Sequence, residues 1–298
     1  MEQSRRVRPR GIDHLVIAVR DLEKARAAYR RLGFTVTPEA VHPFGTKNSL
    51  VQLDGSFLEL LAINDAATIP PAREGFFSFP AFNRDFLERQ EGLSMLVLKS
   101  VDPNLDHAAF AGHRLPTYAP FQFERTARAP DGTERKVAFT LAFTSEPRLR
   151  DAGFFTCRHH FPENFWRAEY QRHANGARTI ASAVMVTRDP ADFHEFLTYF
   201  TGVHDMKSTS LGIDFDLGDG SHVEVLSPPG FHGLFGGDSG PDPRRFLACR
   251  VGVADIAGTR SFLEANRVAF AERPEGLVVP PKEAGGVTIA FSPQVPRL

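Results

Sequence analysis

His14 and Glu59 are the side chains on which chemistry could be built. His14 lies in "GIDHLVIAV" and Glu59 in "SFLELLAI", apolar runs of the length of buried strands. An ionisable group in such a strand needs a partner, because burying it bare is costly. One of them alone reads as a hydrogen-bonded side chain of the core rather than as a metal ligand. Two within one short unit point to a site.

Further candidates fall into two stretches. "HPFGTKN" places His42, Gly45, Thr46 and Asn48 in a tight polar loop over the strand ends. Gly and Asn suit a turn in any case, and the same residues could orient a ligand. Later, "FFTCRHHFPENFW" reads as a strand in which alternation sets Cys157 and His159 on one face and Arg158 and His160 on the other. His159 or His160 could complete a site with His14 and Glu59 if the two strands share a cleft. Arg158 could neutralise a substrate carboxylate or pair with an acidic neighbour. Cys157 reads as a small core residue, and His173 and Asn175 as structural.

These groups must be positioned by a repeated element. Asp21, Asp102, Asp189 and Asp255 each follow an apolar run and each precede a segment with apolar residues at helical spacing. Aspartate suits a helix start because its carboxylate accepts the free N–H groups of the first turn. Pro103 and Pro190 follow two of them at the first helical position. The segments stop at Gly33, Gly112, Gly202 and Asn266, residues that easily turn left-handed. The spacing predicts four strand–helix–strands units, beginning near Gly11, Gly92, Arg178 and Phe246. The second contains a hairpin around the turn "APDG".

The organisation that follows is a solvated arm over 1–10, a two-unit domain over 11–160, a polar linker over 161–177 and a second two-unit domain over 178–298. "PPGFHGLFGGDSGPDP" reads as a mobile surface loop that could cover a pocket. The His14 position is occupied by Met95, Ser182 and Ala248 in the other three units, and Glu224 in "HVEVL" echoes Glu59. The second domain is therefore the more degenerate.

Composition narrows the function classes. Thirty-five basic residues against 36 acidic ones, without a like-charge block, argue against a nucleic-acid groove or an anionic membrane surface. No apolar run has the length of a signal peptide or membrane span. Two cysteines exclude a disulfide framework, so a reducing, cytoplasmic setting is the default. The 27 Phe beside one Trp and four Tyr suit a greasy pocket for a small molecule.

A strand–helix–three-strand unit repeated in pairs resembles the vicinal oxygen chelate superfamily of glyoxalases, extradiol dioxygenases and antibiotic-resistance proteins. "DHLVIAVRDL", "HPFGTKN" and "FLELLAI" are most similar to its bacterial glyoxalase-like domain proteins. The resemblance implies an α+β fold of tandem βαβββ modules, paired into curved, open-barrel mixed sheets as in the glyoxalases and dihydroxybiphenyl dioxygenases. It implies a divalent metal (Zn, Fe, Mn or Ni) held by His14, Glu59 and His159, with Glu59 also catalytic. His42, Thr46, Asn48, Arg158 and His160 would meet the substrate. Imidazole nitrogen and carboxylate oxygen suit those ions, and open positions would let paired substrate oxygens chelate. The expected activity is that of a lyase, isomerase or dioxygenase on a small molecule with vicinal oxygens. A metal-free binding protein of the same fold, and a possible homodimer, are the other expectations.

Overall fold

The structure is a computed structural model that describes residues 9–128, 133–241, 243–273 and 276–293. The "APDG" turn and the first eight residues of the expected arm lie outside the described residues.

All four units form. The first is β1 (Ile12–Ala18), α1 (Leu22–Arg31), β2 (Ala40–Val41), β3 (Thr46–Gln52) and β4 (Phe57–Ile63). A helix outside the repeat, α2 (Phe79–Arg89), precedes the second unit of β5 (Gly92–Lys99), α3 (Pro103–Gly112), β6 (Phe121–Arg128), β7 (Glu134–Thr144) and β8 (Gly153–His159). A short α4 (Pro162–Phe165) leads to β9 (Ala177–Val186), α5 (His194–Thr201), β10 (Lys207–Thr209), β11 (Gly212–Asp216) and β12 (His222–Leu226). Then come α6 (Pro228–Phe235) and the fourth unit, β13 (Arg245–Val253), α7 (Ile256–Ala265), β14 (Ala271–Arg273), β15 (Gly276–Val279) and β16 (Thr288–Pro293).

Local chemistry explains the helix starts. Asp21, Asp102 and Asp255 each accept a first-turn N–H of α1, α3 and α7 at 3.0 Å, an N-cap contribution of about 1 kcal/mol each, and Asp189 caps in the same way the 3-10 turn Pro190–Phe193 that leads into α5. Gly33 and Gly202 make the left-handed stops, at φ 92° and 77°. The other two stops differ from expectation. Gly112 is still helical and Asn266 keeps a φ of −91°, so Arg114 and Arg267 turn left-handed instead, at φ 60° and 53°.

The first two units share one eight-stranded sheet, in the order β2-β3-β4-β1-β5-β8-β7-β6, and the last two repeat that order as β10-β11-β12-β9-β13-β16-β15-β14. In the first sheet β1 and β5 run antiparallel at the centre, each flanked by the parallel last strand of its own unit. Unit one therefore faces unit two within one chain. The sheet curls until its edges nearly meet: Phe44, in the β2–β3 turn, has its ring 5.7 and 5.2 Å from those of Phe121 and Phe123 on β6.

Curling separates the two faces. Leu15 and Ile17 of β1 join a core that runs through both sheets, whereas Val16 turns inward with Phe57, Phe79 and Phe155. That shared core includes Phe154 of β8 against Phe196, Phe200 and Phe246, at 4.8, 5.3 and 5.7 Å. Arg10 does not behave as part of a solvated arm. It is 7% exposed, its guanidinium holds Asp106 at 2.8 Å and Phe200 O at 2.9 Å, and its backbone N–H donates to Thr201 O.

The 161–177 stretch is strapped to the first sheet. The Gln52 side chain donates to Phe165 O and accepts from the Arg167 N–H, and Nε2 of His173 lies 2.7 Å from Gln52 O. The described part of the Gly/Pro-rich stretch contains α6 rather than only a loop. Ser227 caps α6, and Phe231 and Phe235 fill the inner face of the second sheet. Among the described residues no helix is long and apolar enough to cross a membrane.

Candidate metal and ligand site

His14 on β1 and Glu59 on β4 both point into the curl of the first sheet and are each 5% exposed. Their strands run parallel with Val16 opposite Glu59, so the two side chains lean toward each other along one face. His14 Nε2 lies 3.7 Å from Glu59 Oε2. That is too long for a hydrogen bond and within the span of two metal–ligand bonds of about 2.0–2.2 Å each. The imidazole is stacked on Phe57 at 4.3 Å with 13° between the planes, which fixes its orientation.

The other ring nitrogen is held by a residue that the sequence did not single out. Nδ1 of His14 donates to Asp13 Oδ1 at 2.6 Å. Strand alternation would aim Asp13 away from His14. A register shift between Ile12 and His14 in the β1–β5 pairing breaks the alternation and brings the carboxylate round. Asp13 also faces His159 Nε2, with both oxygens at 3.2 Å. Burial opposes its charge, but attraction to His159 and hydrogen bonds from both imidazoles outweigh it, and the carboxyl stays well below its usual range. An ionised Asp13 makes His14 Nδ1 a donor, so Nε2 is the ring nitrogen that faces Glu59.

Glu59 is supported from the other side. Asn48 Nδ2 donates to Glu59 Oε1 at 2.5 Å and also lies 3.2 Å from His42 Nε2. An amide N–H there makes Nε2 of His42 the acceptor, so His42 Nδ1 donates to Thr46 Oγ1 at 2.8 Å. Burial, with the Arg125 charge nearby, drops His42 to a pKa of about 3, and the ring is neutral. Burial raises Glu59 above the ordinary carboxylate value, partly offset by His14, Asn48 and Arg125. The loop expected to be polar is therefore a relay of side chains that ends on Glu59.

The remaining expected residues separate. The three described donors whose ligand atoms lie within 4.8 Å of one another are Asp13, Cys157 and His159, so His159 groups with Asp13 rather than with His14 and Glu59. Burial, and then the charges of Asp13 and Glu59, push the Cys157 thiol well up and keep it protonated. Arg158 is exposed on the opposite face of β8, and His160 Nε2 is spent on Thr140 Oγ1 at 2.7 Å. The cationic side chain inside the curl is Arg125. Its signal was present in "FQFERTAR", where Phe121, Phe123 and Arg125 share one face of a strand.

These residues line two adjoining spaces that share part of their walls. An inner cavity of about 50 Å³ is walled mainly by phenylalanines, with His14, Glu59, Asn48 and His42 at its polar side. An outer vestibule of about 460 Å³ lies beyond, and Asn48, Leu50, Arg125 and Phe165 line both.

A model of the glyoxalase-like domain family matches residues 12–201. The chain belongs to this family. The match covers more than half of the sequence and spans the whole first sheet together with β9 and α5. Solved structures share the fold at low identity. A hypothetical protein from Staphylococcus aureus is 12% identical, with a TM-score of 0.69 over 95% of this chain and 99% of that one. A mutant 4-hydroxymandelate synthase from Streptomyces coelicolor is also 12% identical, with a TM-score of 0.58 over 97% and 94%. A xylose isomerase-like TIM barrel/4-hydroxyphenylpyruvate dioxygenase fusion protein gives 0.53 at 12% identity, over 97% of this chain and 50% of that one. No curated protein matches the sequence. The glyoxalase-like chain is thus a member of the vicinal oxygen chelate superfamily, whose fold its two curled sheets share.

Members of that superfamily typically use a divalent metal, and part of this glyoxalase-like site fits one. A ligating histidine ordinarily donates its second N–H to a carboxylate, as His14 does to Asp13. Met95 and Phe155 occupy the places of His14 and Glu59 in the opposing unit, whose donors Cys157 and His159 group instead with Asp13, a set that could itself hold an ion. His14 and Glu59 would hold the ion, and its other positions would be open to water or ligand.

Proposed function

We propose that this glyoxalase-like protein is a metal-dependent enzyme acting on a small substrate with two adjacent oxygens. The observation that carries the reading is the Asp13–His14 hydrogen bond, which sets Nε2 of His14 toward Glu59 inside the apolar curl of the first sheet. A divalent ion bound there (Zn, Fe, Mn or Ni) would supply Lewis acidity to the substrate oxygens. The protein's own part is orientation and exclusion of water. Asp13 orients the His14 ring, and Asn48 fixes Oε1 of Glu59, which leaves Oε2 facing His14 Nε2 to hold the ion. The phenylalanine walls limit the access of bulk water. His159, on the far side of Asp13, acts through that carboxylate.

Metal analysis of protein purified without chelator, then exposed to each ion singly, tests this reading. Stoichiometric binding that His14→Ala and Glu59→Ala abolish is expected, and absence of any bound ion under all conditions overturns it. Met95 and Phe155 favour one other reading, a metal-free binding protein. In that case small ligands would raise the melting temperature of wild type and both variants equally.

A further inference from the structure

Arg125 shares the cavity of His14 and Glu59 but has no part in holding the ion. It stands on β6 at the neck where the inner cavity meets the vestibule. Its Nε is buried without a hydrogen-bond partner, and among the described residues its side chain makes no ion pair. Glu59 attracts it but does not close on it, and burial lowers its pKa. The residue as a whole is partly exposed, so water reaches the rest of the guanidinium, but a buried N–H without a partner is kept in native structures mainly where something else supplies that partner.

Charge in the adjoining space points the same way. The vestibule carries Arg167 as well as Arg125, while its one acid, Glu39, is held by Lys47 at 3.2 Å. The walls next to Arg125 are apolar, with Phe121 and Phe123 before it on the strand and Phe165 across the neck. The inner space of about 50 Å³ suits only a small group, being well below the roughly 150 Å³ of a cavity known to seat benzene. A larger body has to remain in the vestibule.

We propose that Arg125 is the anion-recognition and specificity residue of this site, and that the ligand is an organic carboxylate. The guanidinium takes the carboxylate as a planar, two-point hydrogen-bonded pair at the neck. The short end of the ligand reaches toward His14 and Glu59, and the remainder lies in the vestibule. This assignment rests on the proposed small-molecule function of the same cavity, but it does not require the metal.

Calorimetric titration of chelator-treated protein with two matched pairs, benzoate with benzamide and 4-phenylbutyrate with 4-phenylbutanamide, tests it. One of the carboxylates should bind about tenfold or more tighter than its amide, and Arg125→Gln should erase that difference while leaving amide binding unchanged in a protein that circular dichroism shows to be folded. Arg125→Lys should restore only part of it, because an ammonium lacks the two-point geometry. Equal affinity of acids and amides, no binding of any of the four, or a carboxylate preference that survives Arg125→Gln, overturns the proposal. Inorganic phosphate competing as well as the carboxylate overturns the carboxylate assignment. Metal binding by His14 and Glu59 is measured separately, so loss of either conclusion leaves the other standing.

Discussion

Arg250 closes on Glu224 in the second sheet, with Nε 2.8 Å and Nη2 3.2 Å from the carboxylate oxygens. Glu224 occupies the place that Glu59 holds in the first sheet, and Ser182, at the His14 position, donates to it as well. Arg250 in turn lies over the Phe235 ring at 4.7 Å, under α6. One sheet thus keeps a cavity around its glutamate, and the other pairs the corresponding glutamate with its own arginine and serine.

Breaking that pair should destabilise the fold without touching the first sheet's chemistry. Glu224 and Arg250 are largely buried, so Arg250→Ala leaves a carboxylate short of its cation. Equilibrium unfolding should show a loss of about 3 kcal/mol. Metal content at His14 and Glu59 should stay at the wild-type level.

The α6 plug yields a second expectation. Phe231 and Phe235 are 2% and 3% exposed against the inner face of the second sheet. Phe235→Ala should cost about 3–5 kcal/mol in urea unfolding. A variant no less stable than wild type would show that α6 does not hold that face.

Asp13→Asn tests the support of His14. An amide can still sit beside the two imidazoles but no longer fixes the tautomer by charge. Divalent-metal affinity should fall about 10–100-fold, the usual consequence of removing such a partner. Circular dichroism and melting should show the fold retained.

His42 sets a pH dependence of stability. Its folded pKa, about 3, is depressed from the ordinary 6.5. The unfolded chain therefore binds the proton first, and stability is lost as pH falls through 6.5 toward 3. Between pH 7 and pH 5 the linkage amounts to about 2 kcal/mol. Denaturant midpoints at the two values should show that fall in wild type and a correspondingly smaller one in His42→Gln.

The sequence by itself determined the units and half of the site. Aspartate caps, helical spacing and strand alternation act over a few residues, so β1–α1 and its three echoes could be read directly, as could the inward aim of His14 and Glu59. Tertiary structure decided what converges. The register shift at Asp13 and the curl that carries β6 over β3 are properties of strand pairing, and they bring in Asp13 and Arg125 while leaving His159 on Asp13 and Arg158 in solvent. The filling of one inner face by α6 was likewise undecided by its Gly- and Pro-rich composition, because it depends on an apolar surface made by strands far away in the chain.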